Sequence, residues 1–266
     1  MRLNEVYETL DALAPKSLSD EYCARYNAYD NSGILIDTGD AIKGVAFSLD
    51  LSFAAIEKAI ETGANLIVTH HSAIYGKISE IKADDRLGEK IIKCVKNGIS
   101  VIAMHLNLDG AQGGVDESLA RGVCFSAGGN EPVCTVMHPL TAGGYGRAYN
   151  VPLITLGMLA NNMKQTFSTK RVLVYGNERK RVSRAASFCG AGADEGAIEF
   201  ALSQGADVVV SSDFKHHVLQ FAMEKGLGVI ALTHYASEHY GFEKYYQKIR
   251  SSVPVPCVYH TDEIML

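Results

Sequence analysis

Apolar positions along the chain follow two alternating rhythms. Leu3 to Leu13 carries them at spacings of three and four, which predicts an opening helix. After the polar stretch Tyr29-Asp30-Asn31-Ser32-Gly33, the run Gly44 to Leu49 has the character of a strand. Ser52 to Thr62 returns to helical spacing, and Gly63 is placed to end that helix. Asn65 to Thr69, rich in branched residues, predicts a buried strand that finishes at His70 and His71. A second helix is predicted over Leu87 to Lys96, closed by Asn97-Gly98. A second strand, Ser100 to Met104, runs into His105-Leu-Asn-Leu-Asp109.

The later part of the chain repeats this plan. Ala55 to Val68 aligns without a gap to Ala197 to Val210, and Gly98 to Ala103 aligns to Gly226 to Ala231, in the same order. Two matched stretches in one order predict a duplicated α/β lobe. The lobes are expected at 1–128 and 129–266, with the boundary near the Gly- and Pro-containing stretch from Ser126 to Gly146. Such alternation predicts parallel or mixed sheets covered by helices.

The chemistry gathers at the predicted strand ends, where open α/β sheets bind ligands. Four clusters stand there: Thr69-His70-His71, His105-Leu-Asn-Leu-Asp109, Ser212-Asp-Phe-Lys-His-His217 and Thr233-His-Tyr-Ala-Ser-Glu238. They hold most of the nine histidines. A lone His-His pair is ordinarily one core and one solvated imidazole, because neighbours on a strand face opposite ways. Here three further clusters of the same kind make metal ligation the stronger reading. Imidazole suits Zn, Mn, Fe or Ni, and a carboxylate can bridge two cations. His70, His71, Asp109, His234 and Glu238 are therefore the expected ligands of two divalent ions that activate water. His234 and Glu238, four apart, would share a helix face. The plainer roles are a turn residue for Asp109 and a first-turn charge for Glu238.

Two divalent ions outweigh Asp109, Glu238 and a hydroxide in charge, so the site should attract a small molecule that bears phosphate or is otherwise anionic; Lys215 and Arg147 could add to that field. Gly143-Gly-Tyr-Gly-Arg147 and Gly190-Ala-Gly192 are glycine turns able to approach a ligand. No P-loop or dinucleotide fingerprint is present. His138, His239 and His260 are assigned no special role.

Composition narrows the class further. The 266 residues are 47% hydrophobic and 21% charged, ordinary for a globular protein with a core. A formal net charge of -5 argues against nucleic acid as the main partner. No apolar run reaches the ~20 residues that span a bilayer, and no signal-peptide core opens the chain. Six scattered cysteines without a CxxC pair predict reduced core thiols and a cytoplasmic protein.

Taken in order, Asp30-Asn-Ser-Gly33, Val68-Thr-His-His71, His105-Leu-Asn-Leu-Asp109, Gly114-Val-Asp-Glu-Ser-Leu-Ala120, Gly146-Arg147, Cys189-Gly-Ala-Gly192 and His234-Tyr-Ala-Ser-Glu238 resemble the GTP cyclohydrolase 1 type 2 homolog family, the NGG-interacting-factor-three-like proteins. The resemblance implies two similar α/β lobes with two metal ions in the cleft between them, assembled as a toroidal hexamer. It places Glu238 as the bridge, His71 and Asp109 on one ion, and His70 and His234 on the other. The chain resembles the short form, without the domain that longer members insert. It departs from the pattern at Ser72, Ala191, His216 and Asp116, none of them a ligand. A cyclohydrolase reaction would make Glu238 catalytic and could use His217 or His105 to move protons. The alternatives are a phosphoesterase with the same site and a non-catalytic metal-binding or adapter protein.

Overall fold

A computed structural model describes all 266 residues. Contacts group them into two compact units, Met1–Ala111 with Phe242–Thr261, and Gln112–Gly241 with Asp262–Leu266.

The first unit opens with α1 (Leu3–Leu13), which buries Leu3, Val6 and Leu10 at the spacing the sequence shows. Then come α2 (Lys16–Tyr26), β1 (Gly33–Ile36), β2 (Val45–Ser48), α3 (Phe53–Thr62), β3 (Leu66–Thr69), α4 (Arg86–Lys96), β4 (Ser100–Ala103) and the short α5 (Leu106–Gly110). Strands β2, β3 and β4 are parallel neighbours, connected through α3 and α4, and every residue in them is buried. Covering helices explain why these strands read as apolar runs rather than alternations. Capping sets the helix starts: the Ser52 hydroxyl accepts from Ala55 N at 3.0 Å, and the Asp85 carboxylate from Gly88 N at 2.8 Å. Gly63, at φ 71°, ends α3 in the left-handed conformation. β1 runs antiparallel to β4.

The second unit holds α6 (Val115–Ser126), β5 (Cys134–Pro139), β6 (Gly144–Thr155), α7 (Leu156–Thr166), β7 (Val172–Tyr175), β8 (Arg181–Ser187), α8 (Glu195–Ser203), β9 (Val208–Ser211), α9 (His216–Glu224) and β10 (Gly228–Leu232). Its sheet order is β5-β6-β8-β9-β10-β7. β8, β9 and β10 are parallel, while β5, β6 and β7 pair antiparallel to their neighbours. The long helix α10 (His234–Ile249) follows, and the unit boundary falls within it. Last, β11 (Cys257–Tyr259) pairs parallel with β2, completing the first sheet as β1-β4-β3-β2-β11.

The unit limits differ from a cut at 128/129. The Gly- and Pro-containing stretch taken for a lobe boundary is the β5–β6 hairpin of the second unit. Its glycines serve a tight turn: Gly144 has φ 139°, and a Cβ there would lie 2.5 Å from the carbonyl of His138. Helix α6, placed by sequence in the first lobe, groups with the second unit. The fold is thus mixed α/β with two helix-covered sheets.

Candidate metal centre

In the first unit the candidate ligands stand at the carboxyl ends of the parallel strands. After β3 the backbone N–H groups of His70 and His71 both donate to the carbonyl of Leu49, and the Thr69 hydroxyl donates to the carbonyl of His71 at 2.8 Å. The strand turns at that point. The two rings therefore do not diverge as strand neighbours would; their centroids lie 5.1 Å apart. After β4, His105 precedes α5, which brings Asp109 into the interior. His70 is fully buried, with Nε2 3.4 Å from Asp109 Oδ1.

Each imidazole is oriented through its other nitrogen. His70 Nδ1 lies 2.8 Å from the carbonyl oxygen of Met104, and His71 Nδ1 2.8 Å from Asp50 Oδ1. Asp50 follows β2, so the third parallel strand also contributes. His105 Nδ1 meets Asp30 Oδ1 at 2.8 Å, and its ring centre is 5.4 Å from that of His70. Asp30 also accepts from the hydroxyls of Ser19 and Ser32. Burial raises the Asp30 pKa, but the hydrogen bonds from His105, Ser19 and Ser32 outweigh it and hold the carboxyl well below its usual range.

The second unit presents its candidate ligands on the first turns of α10. His234 Nε2 is 3.1 Å from Glu238 Oε1, and Asp213 bonds His234 Nδ1. Asp213 is held at φ 49°, in the left-handed region, to present its carboxylate there. Burial lowers the His234 pKa, but the hydrogen bonds and charges of Glu238 and Asp213 prevail and raise it to about 9. Beside them the chain turns at Cys189-Gly190. The Gly190 N–H donates to Ser237 Oγ at 3.1 Å, and its carbonyl accepts from the hydroxyls of Ser211 and Ser212. A Cβ on Gly190 would lie far too close to Glu238 Oε1 and 3.3 Å from His234 Cε1. The space against the Glu238 carboxylate is thus open only to glycine.

The donor set fits divalent metal. The three candidate ligand imidazoles, His70, His71 and His234, have Nδ1 engaged by a carbonyl or carboxylate, as does the neighbouring His105; this arrangement fixes metal-binding histidines with Nε2 toward the ion. In two of them Nε2 lies next to a buried carboxylate oxygen. Candidate metal-ligand residues are present in both units: His70, His71 and Asp109 in the first, Cys189 and Glu238 in the second.

Sequence reasoning missed Cys189, Asp50 and Asp30. Asp50 was within reach of the strand-end rule had it been applied to β2. Cys189 and Asp30 stand in motifs that carry the resemblance, but nothing in those motifs marks Cys189 as a donor or Asp30 as the partner of His105.

Other anticipated residues are placed as follows. Arg147 is buried against Asp116 and, at 3.7 Å, Glu117, so its charge is already matched and it adds no field for a substrate. Lys215 is exposed and precedes α9. His217 is also exposed, with Nε2 3.8 Å from Glu195. His239 is buried and stacks on Tyr235. No helix is long and apolar enough to cross a membrane.

Helix-covered mixed sheets with imidazole and carboxylate donors at their strand ends define a class of α/β protein with candidate metal-ligand groups. Residues 1–261 match the family model Duf34/NIF3 (NGG1p interacting factor 3), and the chain belongs to that family. A Clostridium acetobutylicum protein called GTP cyclohydrolase 1 type 2 homolog is 27% identical over 90% of this chain and 85% of its own. A Staphylococcus aureus hypothetical protein of known structure superposes with a TM-score of 0.82 at 25% identity, covering 98% of this chain and 96% of that one. A Bacillus cereus protein described as related to NIF3 shares the fold, with a TM-score of 0.80 at 22% identity over 100% of this chain and 99% of that one.

Proposed function

We propose that this protein is a metal-dependent hydrolase. It holds two divalent ions through His70, His71, Asp109, His234 and Glu238 and acts on a small anionic, nucleotide-like substrate. The observation that carries this is the common arrangement of His70, His71 and His234, each with Nδ1 tied to a carbonyl or carboxylate. A purely structural histidine has no need of that orientation, and it recurs at two separate places, the end of β3 and the start of α10.

Divalent ions there supply Lewis acidity, which makes water a nucleophile at neutral pH. The chain's own residues do the rest. Asp109 and Glu238 would supply the negative charge that holds the cations. Asp30 fixes the tautomer of His105, whose ring lies beside His70 and His71, so His105 is suited to carry a proton. His217, exposed beside Glu195, is the second proposed proton carrier.

The duplication expected from the sequence belongs to the same proposal. β2–α3–β3–α4–β4 and β8–α8–β9–α9–β10 are each three parallel strands with two crossover helices, and each carries an antiparallel strand on its last member. Ligands and their partners then stand at corresponding strand ends. The hexamer implied by the family resemblance belongs to the same proposal.

The test is a panel of nucleotides and phosphoesters assayed with metal-loaded wild type and Glu238→Gln. Hydrolysis of one class, lost by orders of magnitude in E238Q, is the expected result. No turnover of any compound by fully loaded wild type would leave a metal-binding adapter in its place.

A further inference from the structure

Within the first unit a cleft of about 420 Å³ opens beside His71, lined by Asp50, Ser72, Asp85, Arg86 and Lys90 among others. That volume falls in the range of small-molecule sites, roughly 300–1,000 Å³. Its two cations are four residues apart on α4, and so share one face of the helix. Neither is tied up in an ion pair, whereas Lys93 on the same helix is committed to Glu57. The Lys90 ammonium lies 5.7 Å from the centre of the Phe53 ring. Burial, and then the like charge of Arg86, lower the Lys90 pKa. The charge of Asp50 opposes these effects on Lys90 more weakly, so the two cations still repel each other, and an anion between them lowers that cost. The two carboxylates of the cleft are turned to other partners, Asp50 to His71 Nδ1 and Asp85 to Gly88 N, and neither forms an ion pair with Arg86 or Lys90.

We propose that Arg86 and Lys90 form a subsite for a phosphate group of the substrate, holding it in the cleft whose wall includes His71. Arg86 offers the planar pair of donors that matches phosphate oxygens, and Lys90 a mobile point charge. This deepens the proposed hydrolase by assigning the residues that hold the phosphate of its substrate. The bond hydrolysed lies in the part of that molecule at the metal ligands, and the phosphate at Arg86 and Lys90 serves as a handle.

The proposal rests on the hydrolase reading only for where the reacting end lies, and one experiment separates the two. Inorganic phosphate is titrated by calorimetry into chelator-treated and metal-loaded protein. The variants are wild type, the double variant Arg86→Gln with Lys90→Met, and Lys93→Met as a control that removes a cation of the same helix outside the cleft. Metal content and thermal melts are measured on every sample. Chelator-treated wild type is expected to bind phosphate, K93M to match it, and the double variant to bind about tenfold more weakly or worse. Equal affinity in the double variant and wild type overturns the subsite. So does an equal loss in K93M, which would reveal a diffuse field, or no binding to wild type in either form. Wild type that takes up no metal but shows the expected phosphate pattern sinks the hydrolase reading and leaves the subsite standing. With a substrate in hand, the double variant should raise KM with little change in kcat.

Discussion

Replacing Gly190 with alanine puts a methyl group where the Glu238 carboxylate lies. The new Cβ falls well inside the 3.0 Å that real Cβ atoms keep from their neighbours, so Glu238 Oε1 must retreat by over half an ångström. The backbone cannot give way easily, because Gly190 N–H is held by Ser237 and its carbonyl by Ser211 and Ser212. Its φ of +56° adds about 1–2 kcal/mol for any residue with a Cβ. Gly63→Ala is the matched control: its φ is +71°, and a Cβ there meets nothing within 4 Å. Both variants should lose about 1–2 kcal/mol in chemical denaturation from backbone strain alone. Only G190A should also bind Zn or Mn more weakly, by about 10–100-fold in calorimetric titration, the range seen when a ligand's surroundings are disturbed. Wild-type metal affinity in G190A would refute the assignment of Glu238 as a ligand held in place by this turn.

Three more expectations follow from the charges. His234, raised to about 9, is protonated at neutral pH in the metal-free protein, so metal uptake at pH 7.5 should release its proton. Calorimetry in buffers of different ionisation enthalpy would show this release, and its absence would remove His234 from the ligand set. Since that folded pKa lies above the unfolded 6.5, its stabilising pairs are fully present below pH 6.5 and lost as pH rises through about 9. Asp116→Ala leaves Arg147 buried without its main partner and should cost about 3–5 kcal/mol in denaturant melts; a loss under 1 kcal/mol would contradict that pairing. Asp30, depressed below 3.8, contributes stability present above that pH and lost as pH falls through its folded value. Asp30→Asn should therefore lower stability at pH 7 and flatten its fall on acidification. An unchanged acid profile would mean that another group governs it.

Much of the fold was legible because the parallel strands are buried on both faces and their helices carry local stop signals. Gly63 ends α3 as its position after the apolar run suggests, and β3 and β4 fall where branched residues cluster. Helix α2 was missed because Lys16–Tyr26 buries only Leu18 and Ser19, leaving no apolar stripe to read. β1 was hidden because a four-residue edge strand with two buried positions has no distinguishing period. The stretch from Ser126 to Gly146, read as lying near a lobe boundary, holds part of the β5–β6 hairpin, since turn glycines and boundary glycines look alike in sequence. At the site, the histidine clusters announced themselves by repetition. Asp50, Asp30 and Cys189 did not, because each acts through a tertiary contact that only the strand order creates. Arg147 was misjudged for the same reason: its carboxylate partner, Asp116, lies far from it along the chain.

The most direct test is elemental analysis of protein purified without chelator, with and without supplementation by Zn, Mn, Fe or Ni. About two divalent ions per chain should be found in wild type, and fewer in Glu238→Gln. Metal near zero in supplemented wild type would contradict the claim that these imidazoles and carboxylates are oriented for metal.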